Sequence, residues 1–99
     1  MKLYEIAHSR AGDKGNISTL SLIPFDEKDY EKLCHEVTID KVKRHLKDIV
    51  LGEIIRYEMP NVSSLLFVCS DALMGGVTTS LAMDAHGKAL SYALLEMEI

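Results

Sequence analysis

Two kinds of apolar spacing alternate along the chain. Leu3, Glu5 and Ala7 interleave with Tyr4, Ile6 and His8, and Ile17 to Ile23 is rich in residues suited to a pleated surface. This predicts two strands joined by a loop over 9–16. Helical spacing follows. Asp26 stands where an N-cap belongs, Phe25 and Tyr30 have the spacing of a hydrophobic staple, and Tyr30, Leu33, Cys34 and Val37 form one stripe. Thr38 reads as a second N-cap, stapled by Val37 and Val42, and the apolar face Ile39, Val42, Leu46, Ile49 and Val50 runs on to Gly52. The helical region is therefore predicted to bend or split at Thr38.

From Ile54 to Met59 the spacing alternates again, and Pro60-Asn61 supplies a turn. Leu65 to Cys69 is apolar on both faces, as in a central strand. Val77 to Met83 predicts a fifth strand ending at Asp84-Ala85-His86-Gly87, then a helix over Lys88 to Leu95 and a short edge strand at Met97-Glu98-Ile99. This order favours a two-layer α+β sandwich, with helices on one face of a mixed, mainly antiparallel sheet. If 26–50 forms one right-handed crossover, strands two and three run parallel, and the loops 9–16 and 71–76 share a sheet end. If the two helices fold back as a hairpin, those loops lie at opposite ends.

At 99 residues the chain is one domain, 1–99, with a core of modest size. Its net charge of -4 opposes binding to nucleic acid, and no run is long and apolar enough to cross a membrane. Cys34 and Cys69 lack the spacing of a metal site, so no metal is expected, and they read as buried thiols. The start Met1-Lys2-Leu3-Tyr4-Glu5 lacks the apolar core of a signal peptide, and the expected compartment is the cytoplasm. Cys34 and His35 are no nucleophile and base, since consecutive helix residues diverge by about 100°.

The chemistry concentrates in two glycine-bearing segments. In His8-Ser9-Arg10-Ala11-Gly12-Asp13-Lys14-Gly15-Asn16, the glycines permit close backbone approach while Arg10 and Lys14 supply positive charge, a combination suited to an anion. Gly75 and Gly76, followed by Thr78, offer N–H and O–H donors without the lysine of a P-loop. The first segment reads equally as a plain hairpin loop, and for the second the plain hairpin is the favoured reading. Lys41, Lys43, Arg44, His45 and Lys47 alternate with apolar residues and read as the solvated side of a helix, while Tyr30, Tyr57 and Phe67 fit core positions.

Four motifs carry a resemblance: His8 to Gly15, Arg56-Tyr57-Glu58-Met59-Pro60-Asn61, Leu73-Met74-Gly75-Gly76, and Asp84-Ala85-His86-Gly87-Lys88-Ala89-Leu90. In this order, over nearly the whole chain, they resemble the AtuA-like ferredoxin-fold domain, a family associated with acyclic terpene utilisation. The resemblance implies a ferredoxin-like α+β fold and favours the topology in which the two loops share a sheet end. It implies no iron–sulfur cluster, because two cysteines cannot supply the usual four thiolates. No other cofactor is expected. The expected role is that of an accessory subunit of a larger AtuA-like protein. It would bind an anionic metabolite such as an acyl-CoA through His8, Ser9, Arg10, Gly12, Asp13, Lys14, Gly15, Asn16, Gly75, Gly76 and Thr78. The alternatives are an autonomous enzyme with His8 or Asp13 as general base, and a structural homo-oligomer.

Overall fold

The computed structural model describes residues 1–14, 17–71 and 90–99. The predicted fifth strand over 77–83 and the residues Gly15, Asn16, Gly75, Gly76 and Thr78 lie outside them. After a 3-10 turn at Leu3–Glu5, the chain forms β1 (Ala7–Lys14) and β2 (Ile17–Pro24), then α1 (Tyr30–Glu36), α2 (Ile39–His45), β3 (Ile54–Met59) and β4 (Ser64–Ser70). Residues 90–95 are helical and are designated α3.

The helix boundaries follow from their caps. The Asp26 carboxylate accepts from Lys28 N–H at 3.1 Å and starts a 3-10 turn leading into α1. The Thr38 hydroxyl accepts from Lys41 N–H at 3.3 Å and starts α2, so the helical region splits where the sequence predicts. Phe25, one half of the expected Phe25–Tyr30 staple, packs its ring on β1 instead of into the core. Phe25 is 67% exposed and its ring stacks on His8.

Among the described residues four strands form one sheet in the order β1-β2-β4-β3, and their three ladders are antiparallel. Because β2 and β3 both run antiparallel to β4, they are parallel to one another with β4 between them. This is the split β-α-β unit of a ferredoxin-like fold, closed by the single crossover through α1 and α2. The sequence-predicted loop 9–16 is corrected here. Its residues 9–14 continue β1, pairing in unbroken register from Ala7 opposite Pro24 to Lys14 opposite Ile17. The predicted strand start at Leu3 is instead a 3-10 turn, tied to the C-terminus by the Leu3 N–H donating to Met97 carbonyl at 2.9 Å and a bridge between Lys2 and Glu98.

The helices cover one face. Leu20 and Leu22 of β2, Leu65, Phe67 and Cys69 of β4, and Ile54 of β3 pack against Leu33, Val37, Val42, Leu46, Leu90 and Leu94 in a single buried cluster. Tyr57, read as core from the sequence, points the other way and is 48% exposed. The alternation decides this: Tyr57 is one residue from the inward Arg56, so it belongs to the opposite face.

Candidate functional site

One end of the sheet gathers the strand ends that lead into both glycine-bearing segments. Lys14 stands opposite Ile17, Ile17 opposite Ser70, and Ile54 opposite Cys69, so the end of β1, the start of β2, the exit of β4 and the entry to β3 lie side by side. The entry to β3 is sewn to the exit of β4 by backbone bonds. Leu51 N–H donates to Asp71 carbonyl at 3.0 Å, Gly52 N–H to Ser70 carbonyl at 3.1 Å, and Ser70 N–H to Glu53 carbonyl at 2.9 Å. A Cβ on Gly52 would lie 2.5 Å from the Ser70 carbonyl oxygen, so only glycine permits this approach. Asp71, with φ 51°, adopts the left-handed conformation and turns the chain as it leaves β4.

The residues expected to bind a ligand separate along and across β1. His8 pairs with Ile23 near the start of the strand, about 20 Å of extended chain before the turn, and its ring lies 5.5 Å from that of Phe25. Ser9 faces inward, its hydroxyl 3.4 Å from that of Ser91 on α3. Arg10 is exposed on the outer face, and Gly12 lies closer to the turn, with its carbonyl accepting from the Thr19 hydroxyl at 3.4 Å. The backbone of Asp13 and Lys14 completes β1 at the shared end. Of the described candidates, Gly12, Asp13 and Lys14 therefore belong to that end, Arg10 lies on the approach to it, and His8 and Ser9 are removed from it.

Arg56, part of a family motif but given no role from the sequence, is a structural clamp. Its Nη2 donates to the Cys34 carbonyl at 2.8 Å and its Nε to the Val37 carbonyl at 3.0 Å, while Nη1 pairs with Glu58 at 3.0 Å. One guanidinium thus satisfies carbonyls at the C-terminal end of α1 and ties that helix to β3. The sequence signal was an arginine inside an otherwise alternating strand; its turning toward the helices is set by the carbonyls it reaches.

The basic run on α2 borders an open groove of about 480 Å³, lined in part by Lys2, Lys41, Arg44, His45, Glu96 and Glu98. Its cations are largely answered from within. Lys41 pairs with Glu36 at 3.0 Å, Lys2 lies 3.6 Å from Glu98, and the His45 ring bonds the Ala93 carbonyl. The hydrogen bond from Lys41 holds the Glu36 carboxyl below its usual range, and the bond from the N-terminal ammonium does the same for Glu98. Burial pushes the Cys69 thiol up to about 11. Among the described residues no group of three or more His, Cys, Asp or Glu is placed to hold a metal ion, and no helix is long and apolar enough to cross a membrane.

Comparison with known proteins agrees with the architecture. The model of the AtuA ferredoxin-like domain matches residues 1–99. No curated protein and no solved structure matches the chain. The split β-α-β sheet and the match over the whole length lead to one conclusion: the chain belongs to the AtuA ferredoxin-like domain family.

Proposed function

We propose that this domain is an accessory module of a larger AtuA-like protein and that it helps hold an anionic metabolite, such as an acyl-CoA, at the sheet end shared by the β1–β2 turn and the exit of β4. The supporting observation is the register Lys14–Ile17–Ser70, which sets the anchors of the two glycine-bearing segments side by side. In this reading Arg10 and Lys14 pair with the ligand's charge, and Gly12, Gly15, Gly75 and Gly76 allow backbone approach. Asp13, Asn16 and Thr78 order the segments or donate to the ligand. His8 and Ser9 have support roles, through the Phe25 ring and through α3.

The test is calorimetric titration of a short-chain acyl-CoA into the chain, alone and mixed with an AtuA-like large subunit, beside thermal melts. Replacing Arg10 and Lys14 together by Ala should weaken binding by about 2–5 kcal/mol where the contacts are desolvated and leave the melting temperature nearly unchanged. Unchanged affinity in the double variant would reject the role given to these two cations. Robust turnover by the isolated chain would reject the accessory role.

A further inference from the structure

The face of the sheet opposite the helices has no assigned role. Ile17, Ile55, Tyr57 and Met59 keep 45, 44, 48 and 42% of their surface exposed there, and between them Leu66 and Val68 are half-buried. Among the described residues no helix lies over this face. All three helical segments contribute to the cluster on the other side.

We propose that a second copy of this chain covers the open face, the two sheets packing face to face about a two-fold axis that runs parallel to the strands between β2 and β4. Three observations select this occupant. The first is charge. The chain carries 15 Asp and Glu residues and a net charge of -4, yet no outward register position described in the four strands is occupied by Asp or Glu. Two acidic molecules can therefore meet here without opposing carboxylates, and a charge-depleted centre is what an interface core requires.

The second observation is register. Arg10, Ser21, Leu66 and Tyr57 form one row across the sheet, and Gly12, Thr19, Val68 and Ile55 form the next. A two-fold axis parallel to the strands lays each row on its own reversed copy. Arg10 at one edge then meets Tyr57 of the second copy, twice per dimer, and the small Gly12 meets Ile55. The guanidinium stacks on the phenol ring, leaving its in-plane N–H groups free for an anion. An axis along the rows would instead bring both Arg10 residues to one shared edge.

The third observation is area. Seven residues of β4 at about 3.3 Å each, across four strands about 4.8 Å apart, give roughly 440 Å² in plan per copy. The pair thus covers about 900 Å² before side-chain relief, below the range of stable interfaces and in the class of weak, transient ones. Association is accordingly weak enough to depend on concentration.

Sedimentation equilibrium of the full chain from about 5 to about 500 µM tests this. The mass should rise from 11.0 kDa toward twice that value. Ile55→Lys with Tyr57→Lys should remain monomeric throughout with an unchanged circular dichroism spectrum, and adding Arg10→Glu should restore the dimer by reversing one side of the pair. A wild-type monomer at every concentration overturns the proposal, as does a lysine variant that still dimerises. So does a wild-type chain that remains monomeric and pairs only with an AtuA-like large subunit. If the lysine variant fails to fold, Arg10→Cys with Tyr57→Cys decides: oxidation should give a disulfide-linked dimer, and its absence overturns the pairing. A cross-link from Arg10→Cys alone overturns the axis.

Discussion

On the inner face of the sheet Leu20, Leu65 and Phe67 are completely buried, whereas one residue away on the outer face Ile55 and Tyr57 keep nearly half their surface in water. The residue types are similar and their surroundings are not. β2 shows the alternation plainly, its buried positions falling at every second residue from Ser18 to Pro24. The inner apolar residues are accounted for by helices crossing above them. Among the described residues the outer ones stand apart from the core cluster, and the second copy proposed above would cover them.

Substitution of the two kinds of aromatic residue gives the largest contrast. Phe67→Ala should destabilise the fold by about 3–5 kcal/mol, because it removes a fully buried ring and leaves a cavity among closely packed neighbours. Tyr57→Ala should cost about 1 kcal/mol or less in the monomer. Urea titrations at low protein concentration measure both. Equal losses would mean that the outer face is packed in the isolated chain, and the contrast would collapse.

Arg56 sharpens the comparison because it is a charged residue on the apolar side. Arg56→Lys should lose about 1.5–3 kcal/mol, since an ammonium cannot span two carbonyls and the Glu58 carboxylate with the guanidinium's fixed fork. Glu58→Gln removes only a pair whose acidic side chain is 56% exposed, and the expected cost is about 0–1 kcal/mol. Were the two variants equally destabilised, the ion pair rather than the helix clamp would be the stabilising contact.

Local patterning made much of this fold legible. The bounds of β3, the central place of β4, the Asp26 cap and the split at Thr38 all depend on residues close in sequence, where periodicity and capping chemistry operate. The misses have distant causes. Residues 9–14 are polar and glycine-bearing, yet β2 pairs with all of them, so the ladder imposes a strand that their composition does not favour. Tyr57 was misplaced because alternation fixes two faces without saying which one meets the helices. The face of Arg56, in turn, was settled by the carbonyls it reaches on and just beyond α1. For the candidate site, the adjacency of the strand ends at Lys14, Ile17 and Ser70 followed from the crossover, while Gly15, Asn16, Gly75 and Gly76 lie outside the described residues. The spread of His8, Ser9 and Arg10 along and across β1 did not follow from it, because it depends on where the turn falls.

The smallest contrast concerns the two thiols, one on the inner face and one on α1. Cys69 lies fully buried between Ser18 and Ile54 in the register of the sheet, and burial holds its thiol up to about 11, so it stays protonated at neutral pH. Cys34 is half-buried. Brief treatment of the folded chain with iodoacetamide near pH 8, followed by mass analysis, should label Cys34 first and leave Cys69 unmodified until denaturant is added. The raised thiol also has a consequence for stability. The unfolded chain loses this proton near 9 and the folded chain only near 11, so the stability associated with the protonated thiol is intact below pH 9 and declines as the pH rises toward 11. Labelling of Cys69 at the same rate as Cys34 in the native protein would show that the inner face opens to solvent, and the difference between the two faces would then be one of degree.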